Sequence, residues 1–269
     1  KSYDGKKLVV QNTYFAIESS SLTAIMGPSG CGKSTLLKML NGMNPATKGT
    51  VKIFGIDLKE SFNDIKNKIG YVPQDDTIHL ELTVYQSLFY AAKLRLRGYN
   101  DQEIDNKINE LLRKLNISEI KHKLNSKISG GQRKRVCIAV ELLSDPLLLL
   151  LDEPTSPLDP QTISEFMDIL KKLATEETTI VLVTHKPEDL DFMDEVVFMT
   201  ISGVVKYKGS SDKCLSAFNA ENYIDIYKIL SEDKDNKVED RSYSKLAFFA
   251  DNAKSIERSD IRWFEQLYW

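Results

Sequence analysis

The stretch that decides the fold is Gly27-Pro28-Ser29-Gly30-Cys31-Gly32-Lys33-Ser34-Thr35, which fits the G-x-x-x-x-G-K-[ST] pattern of a phosphate-binding loop. Glycines let the backbone curl so that successive N–H groups point at one anion. The Lys33 side chain can reach the β- and γ-phosphates of a nucleotide, and the Ser34 hydroxyl is suited to Mg²⁺. An apolar run at 22–26 predicts a strand before the loop, and helical spacing after it ends near Gly42. This context distinguishes the motif from a chance glycine-rich turn.

Length, charge and cysteine content limit the class of protein. The chain has 269 residues and a net charge of −3, which suits one large α/β domain and gives no electrostatic argument for nucleic acid as a partner. The cysteines Cys31, Cys137 and Cys214 lie far apart, which favours a reducing compartment over a disulfide framework. No apolar stretch approaches the ~20 residues that span a bilayer. The chain begins with Lys1, so we expect a segment of a longer protein.

The first half of the chain divides into a strand-rich and a helix-rich part. Short apolar runs at 8–10, 14–17 and 50–55 predict an N-terminal antiparallel β subdomain, followed by a strand at 69–73 that Pro73 ends. Between about 75 and 145, the apolar spacing is helical and predicts a helical subdomain. Its helices are expected after the N-caps Thr83 and Asp101 and over 131–143.

The α/β alternation resumes after the helical subdomain. Apolar runs predict buried strands at 147–151, 179–184, 196–200 and 204–207. A helix is predicted at 163–174, between the first two of these strands. The predicted fold class is therefore α/β, a P-loop NTPase core with a mostly parallel sheet that binds nucleotide at the carboxyl ends of its strands. Residues 231–240 are dense in mixed charge and predict a flexible linker, and 260–269 carry a heavy aromatic load.

Two adjacent acids follow the apolar run at 147–151. An acid at the end of a central strand would lie beside the phosphate loop, so Asp152 is a candidate Mg²⁺ ligand. Glu153 could accept a proton from an attacking water as a general base. The alternative is a pair of solvated acids that end a strand. Pro154, Thr155 and the phosphate loop in the same chain favour the chemical interpretation.

A second anion-binding pattern, Ile128-Ser129-Gly130-Gly131-Gln132, precedes a predicted helix. One nucleotide does not need two such sites in one chain. The simplest explanation is that two copies meet head to tail, so that each Ser-Gly-Gly loop closes over the nucleotide of the other copy. An ordinary glycine-rich helix start is the alternative.

Three single residues are weaker candidates. Gln74 follows a predicted strand and could contact the metal, although an exposed polar residue is the simpler interpretation. His185 follows the strand at 179–184 and could donate to a γ-phosphate, although a structural histidine is the commoner case. Tyr3 could stack on adenine or belong to the core or surface.

These motifs, in this order, resemble the nucleotide-binding domain of ATP-binding-cassette (ABC) transporters over about residues 3–230. The most specific element is 128–132, which is similar to the LSGGQ signature, with Ile128 in place of leucine. By the same resemblance, 27–34 is the Walker A loop, 148–152 is the Walker B strand, Asp159 is the D-loop residue and Tyr3 is the adenine-stacking aromatic. Pro157 replaces a small D-loop residue, which puts the loop geometry in question.

The resemblance implies an active ATPase with ATP and Mg²⁺ as ligands. The catalytic residues would be Glu153, His185, Gln74 and Lys33, and the metal ligands Ser34, Gln74 and Asp152. The residues expected to contact ATP are Tyr3, Gly27, Pro28, Ser29, Gly30, Cys31, Gly32, Lys33, Ser34, Thr35, Ser129, Gly130, Gly131, Gln132 and Asp159.

Finer details resemble the G subfamily, the White-like half-transporters, and its bacterial relatives. These are the sequences at 24–30, 72–76, 82–84 and 131–136. The resemblance implies an ATPase domain at 1–230, a charged linker and tail at 231–252, and an amphipathic connecting helix at 253–269 ahead of a membrane domain. A terminal helix docked on its own domain is the alternative for that last segment.

The implied partners are a second nucleotide-binding domain, identical or a close paralogue, and a transmembrane permease domain on the same chain. The expected location is the cytoplasmic face of a membrane, and the expected direction of transport is export. Two alternatives stay open: a soluble ATP-driven switch that uses the same cassette, and a separate ATPase subunit that docks on a permease.

Overall fold

The structure is a computed structural model that describes residues 9–11, 13–156, 158–175 and 178–233, without the side chains of residues 160 and 161. Tyr3, Pro157 and the predicted connecting helix at 253–269 lie outside the described residues. The predicted linker begins at 231, but the last described helix extends to Glu232, and the linker from 234 onward lies outside as well.

The described part of the chain contains eight strands and eight α-helices, together with short 3-10 helices and loops. The strands are β1 (Leu22–Met26), β2 (Lys52–Ile53), β3 (Ile56–Asp57), β4 (Ile69–Val72), β5 (Leu148–Asp152), β6 (Thr179–Val183), β7 (Glu195–Met199) and β8 (Val205–Ser210). The helices are α1 (Lys33–Leu40), α2 (Phe62–Ile65), α3 (Val84–Arg95), α4 (Asp101–Lys114), α5 (Gly130–Leu142), α6 (Pro160–Thr175), α7 (Cys214–Phe218) and α8 (Tyr223–Glu232). No helix of these described stretches is long and apolar enough to cross a membrane.

The main sheet has the strand order β4-β5-β6-β1-β7-β8 and confirms the mostly parallel prediction. All neighbouring strands in it are parallel except β7 and β8, which are antiparallel. Parallel strands end at the same edge of a sheet, so the loops after β1, β4, β5 and β6 all lie at one edge. The phosphate loop follows β1 there, and Glu153 follows β5.

The central strands are buried on both faces, which explains their continuous apolar sequences. Side chains of β1, β5 and β6 alternate between two apolar clusters, one on each face of the sheet. Leu149 and Leu182 belong to the cluster that includes helices α3 to α6, whereas Leu150 and Val181 belong to the cluster with α1. Full burial of each such side chain stabilises the fold by about 1.5–3 kcal/mol. The edge that carries the chemistry is therefore held rigidly.

The helices between β4 and β5 begin at capping boxes. Thr83 caps α3 with Gln86, and Ser129 caps α5 with Gln132. The predicted cap of α4 is wrong by one residue, because Asn100 is the cap and Asp101 is the first helical residue. Both residue types cap well, so the sequence did not distinguish them.

Part of the prediction for the N-terminal region is wrong. No strand is found at residues 9–10 or 14–17, and the antiparallel pair there is the two-residue hairpin of β2 and β3. Residues 14–17 do alternate between exposed and half-buried side chains. Alternation indicates side-chain environment, but a strand also needs a backbone partner, which the pattern does not specify.

Candidate nucleotide-binding site

The loop between β1 and α1 needs glycine at three positions. Gly27, Gly30 and Gly32 have φ angles of 151°, 79° and 106°, which side-chain-bearing residues rarely adopt. A Cβ on Gly27 would also lie 2.4 Å from the carbonyl oxygen of Met199 on β7. The loop therefore curls tightly against the sheet edge, as the sequence motif requires.

Lys33 is buried inside this curl. Its Nζ atom donates hydrogen bonds to the carbonyl oxygens of Gly27 at 2.8 Å and Pro28 at 3.1 Å. Lys33 is also the first residue of α1, so the ammonium group and the positive end of the helix dipole lie together. Both features favour an anion in the loop.

Two of the three residues expected to hold Mg²⁺, Ser34 and Asp152, are in direct contact, whereas the side chain of the third, Gln74, donates to Glu153. Ser34 Oγ donates a 3.1 Å hydrogen bond to Asp152 Oδ1, although the two residues are 118 positions apart. Burial raises the pKa of the Asp152 carboxyl, and the hydrogen bond from Ser34 opposes this change. A carboxylate and a hydroxyl are hard oxygen ligands of the kind that Mg²⁺ prefers. The donor set fits the ion.

Tyr71, at the end of β4, was missed by the sequence analysis. Its hydroxyl is hydrogen-bonded to Asp152, and burial together with the Asp152 charge raises the pKa of Tyr71 to about 12. The phenol is therefore a donor to the carboxylate throughout the physiological range. The available sequence signal was the place of Tyr71 on the predicted strand at 69–73, three residues before Gln74, and the structure pairs that strand with β5.

Two other predicted site residues, Gln74 and His185, lie next to the Glu153 carboxylate. Its Oε2 atom accepts a 3.1 Å hydrogen bond from Gln74 Nε2, and its Oε1 atom lies 3.6 Å from His185 Nδ1. Its backbone is left-handed with φ 46°, which is uncommon for a residue with a side chain. The Glu153 backbone N–H donates to Val183 O at 3.1 Å. The structure thus brings Gln74, Glu153 and His185 together beside the Ser34–Asp152 pair.

A buried carboxylate that the sequence analysis missed connects the loops after β5 and β6. Asp189 is fully buried, and its Oδ2 atom accepts hydrogen bonds from Thr155 Oγ1 at 2.9 Å and Thr184 Oγ1 at 2.5 Å. Lys186 Nζ donates to the carbonyl oxygen of Thr155 at 2.7 Å. Thr155 lies two residues after Glu153 and Thr184 one residue before His185. The network therefore fixes the distance between the loops that carry these two side chains.

The Ser129–Gln132 segment stands apart from this cluster. Ser129 and Gln132 hydrogen-bond to each other across the first turn of α5, at 3.1 and 3.2 Å. A Cβ on Gly131 would lie 2.9 Å from Thr162 Cγ2 and 3.1 Å from Leu158 Cδ2. Gly131 therefore lets α5 pack closely against α6, and its predicted contact with nucleotide stays a prediction.

Asp159 caps α6. Its Oδ1 atom accepts a 3.0 Å hydrogen bond from the Thr162 backbone N–H, and its Oδ2 atom accepts one of 2.6 Å from the Thr162 hydroxyl. An N-cap role of this kind stabilises a helix by roughly 0.5–2 kcal/mol. The predicted contact of Asp159 with nucleotide is a separate role and stays a prediction.

A parallel sheet, a phosphate loop at its edge and an adjacent Ser–Asp pair define a P-loop nucleotide-binding protein. The family model described as "ABC transporter" matches residues 10–156, and the chain belongs to that family.

The relatives agree with this assignment. The chain is 37% identical over 86% of its length to the ABC transporter ATP-binding/permease protein Rv1747 of Mycobacterium tuberculosis, covering 27% of that protein. It is 36% identical over 81% of its length to ABC transporter G family member 1 of Dictyostelium discoideum, covering 28% of it. The chain thus spans about a quarter of the length of these relatives.

A solved structure has the same fold. It is the dimeric structure of a post-hydrolysis state of the ATP-binding cassette MJ0796 bound to ADP and Pi. The similarity has a TM-score of 0.69 and 29% identity, and it covers 78% of this chain and 94% of that one.

Proposed function

We propose that this chain is the ATP-hydrolysing domain of a transporter and that it works as a head-to-tail dimer. The observation that carries the proposal is the meeting of Gln74, Glu153 and His185 beside the Ser34–Asp152 pair. Membership of the ABC family supports it, as does the ADP and phosphate bound to the similar MJ0796 cassette.

The proposed roles follow from position and chemistry. Lys33 and the loop N–H groups bind the β- and γ-phosphates, while Ser34 and Asp152 hold Mg²⁺. The metal, when bound, neutralises charge on the phosphates. Glu153 accepts a proton from the attacking water, and Gln74 orients the Glu153 carboxylate. His185 contacts the γ-phosphate with a ring that is half exposed.

The partner copy would supply the residues that this chain does not bring to its own site. Ser129, Gly130, Gly131 and Gln132 lie at the amino end of α5, where backbone N–H groups favour an anion. Asp159 would contact the same nucleotide. The dimeric state of the similar MJ0796 cassette supports this arrangement.

The proposal also includes coupling of ATP hydrolysis to transport. A relative named as an ATP-binding/permease protein supports a permease partner on the same chain. We also propose export as the direction and the cytoplasmic face of a membrane as the location, by resemblance to the G subfamily. Closure of the ATP-bound dimer would drive the permease.

The test is dimerisation driven by nucleotide. The Glu153→Gln variant should be monomeric alone and dimeric with Mg²⁺ and ATP, as measured by light scattering after size exclusion. Ser129→Arg in the same background should stay monomeric. Thr83→Arg is the matched control, because Thr83 forms the same capping box on α3. A monomer at saturating ATP, or loss of dimer with Thr83→Arg but not with Ser129→Arg, would contradict the proposal.

A further inference from the structure

A lysine outside the proposed catalytic group is buried with all its hydrogen-bonding capacity used. Lys134 lies in the second turn of α5, and its side chain is 1% exposed. Its Nζ atom donates to the carbonyl oxygens of Pro73 at 3.2 Å and Gln74 at 2.8 Å, and lies 3.2 Å from Asp76 Oδ1. An ammonium group has three donors. These three acceptors, all on the loop after β4, satisfy it completely.

The neighbouring residue strengthens the same connection. Arg133 Nε donates to Asp76 Oδ2 at 3.0 Å, and Arg133 Nη1 donates to Ile128 O at 3.4 Å. One carboxylate is thus contacted on both oxygens by consecutive cations of α5. The amino end of α5, where Ser129 to Gln132 lie, is therefore attached to the loop that carries Gln74.

The connection continues to the proposed base. The main chain of Gln74 is held by Lys134, and its side chain donates the 3.1 Å hydrogen bond to Glu153 Oε2. Two hydrogen bonds in series, from Lys134 to the Gln74 main chain and from the Gln74 side chain to Glu153, therefore join α5 to the Glu153 carboxylate.

Burial of a lysine needs a reason beyond packing. Removing an ammonium group from water costs several kcal/mol unless it is paired, and an apolar side chain would fill the same space without that cost. The charged group adds directional hydrogen bonds, and its three acceptors fix the position of the loop relative to the helix. A methionine would fill the volume but would leave the loop free to shift.

We infer that Lys134 is a positioning residue that couples the Ser129–Gln132 segment to the Gln74–Glu153 hydrogen bond. The inference rests on the proposed function, in which that segment closes on the nucleotide of the partner copy. Closure at one nucleotide would then adjust the base at the other, because α5 and the Gln74 loop move as one unit.

The first test is a double-mutant cycle on ATP hydrolysis by the full chain. Lys134→Met should lower kcat about tenfold with little change in KM. An effect of this size is typical of the interaction energy between residues of one hydrogen-bond network. In a Gln74→Ala background the same substitution should change kcat less than about twofold, because the link it breaks no longer reaches Glu153. Equal effects in both backgrounds would overturn the inference.

The matched control is Lys121→Met. Lys121 lies in the same helical region, is half-buried and pairs with Asp105 at 3.2 Å. It does not belong to the Lys134–Gln74–Glu153 series. Lys121→Met should leave kcat within about twofold in both backgrounds, as expected for sites without shared partners. If Lys121→Met lowered kcat in the same way as Lys134→Met, the loss of activity would reflect a general destabilisation of the helical region, and the inference would fail.

A second measurement separates this inference from the proposed function. Amide hydrogen exchange in the nucleotide-free chain should quicken at 74–78 in Lys134→Met and stay unchanged there in Lys121→Met. Should Lys134→Met not fold, Lys134→Gln replaces it, since its head is polar but its reach is one bond shorter. Unchanged exchange at 74–78 overturns the inference even if ATP is hydrolysed. A wild-type chain without hydrolysis overturns the proposed function, while exchange still decides whether Lys134 holds the loop.

Discussion

The carboxamide of Gln74 donates a 3.1 Å hydrogen bond to Glu153, across 79 positions of sequence. The strand order explains the contact, because β4 and β5 are parallel neighbours that end at the same edge. The hydrogen bond orients one carboxylate oxygen and leaves the other 3.6 Å from His185 Nδ1. Gln74 therefore orients the Glu153 carboxylate, and His185 lies close to its other oxygen at a distance beyond hydrogen bonding. An oriented carboxylate within reach of a bound water suits the role of general base.

Glu153→Gln should abolish turnover without abolishing binding. Loss of a general base lowers kcat by roughly 10²–10⁴-fold, whereas the phosphate loop that binds ATP is untouched. Phosphate release and fluorescent-nucleotide binding measure the two effects. Glu110→Gln, at a half-exposed position on α4, is the matched control and should retain full turnover. Turnover of Glu153→Gln close to wild type would show that another group accepts the proton.

The motif residues were predictable because their chemistry depends on short local patterns. The phosphate loop, Asp152 and Glu153 each follow a strand that the apolar runs predict, and the parallel sheet then brings them to one edge. Asp189 was not predictable in this way. Its partners Thr155 and Thr184 lie on two different loops, and nothing in the sequence near Asp189 indicates that its carboxylate is buried.

Elements near the carboxyl end of the described chain were missed for a related reason. Helix α8 buries only Ile226 and Leu230, and α7 buries Cys214. Helix α7 has only five residues, and the apolar residues of α8 occupy exposed positions such as Ile224 as well as buried ones, so neither sequence indicates one buried face. They are stabilised instead by distant contacts, such as the hydrogen bond from the Ile201 N–H to Leu230 O at 2.9 Å.

Hydrolysis should depend on a divalent cation held at Asp152. Chelation with EDTA should remove phosphate release, and added Mg²⁺ should restore it. Asp152→Asn should raise the Mg²⁺ concentration for half-maximal rate at least about tenfold, because it removes the charged ligand. Asp145→Asn is the control, since Asp145 is exposed and its left-handed backbone suits asparagine. An unchanged Mg²⁺ requirement in Asp152→Asn would place the metal elsewhere.

The stability of the chain should fall with rising pH through Asp189. Burial raises the pKa of this carboxyl above its ordinary value of 3.8, opposed by the hydrogen bonds from Thr184 and Thr155 and by Lys186, while Glu188 raises it further. A carboxyl whose pKa is higher in the folded than in the unfolded state stabilises the fold below the unfolded pKa, and this contribution is lost as pH rises through the folded pKa.

Asp189→Asn should remove that pH dependence. The asparagine oxygen can still accept from Thr155 and Thr184, but it carries no charge. Relative to wild type, the free energy of unfolding of Asp189→Asn should therefore be higher at pH 7, and this difference should become smaller as the pH falls toward 4. Urea unfolding between these pH values measures it. Asp189→Leu should instead be destabilised at every pH, because both threonine hydroxyls lose their acceptor. If the difference in unfolding free energy between Asp189→Asn and wild type were the same at every pH, Asp189 would not be the source of the pH dependence.

Gly27→Ala should destabilise the chain far more than Gly49→Ala. Both glycines have positive φ angles, 151° and 80°, and an alanine held in such a sparsely populated region costs roughly 1–3 kcal/mol. At Gly49 a Cβ would meet nothing within 4 Å, whereas at Gly27 it would lie 2.4 Å from the carbonyl oxygen of Met199 on β7. That atom belongs to the sheet and cannot move aside without breaking a strand pair. The difference in unfolding free energy should exceed the cost of the dihedral angle alone, and Gly27→Ala should also weaken ATP binding. Equal stabilities of the two variants would mean that the loop after β1 can leave the sheet edge, and that the tight curl around Lys33 is not what fixes it.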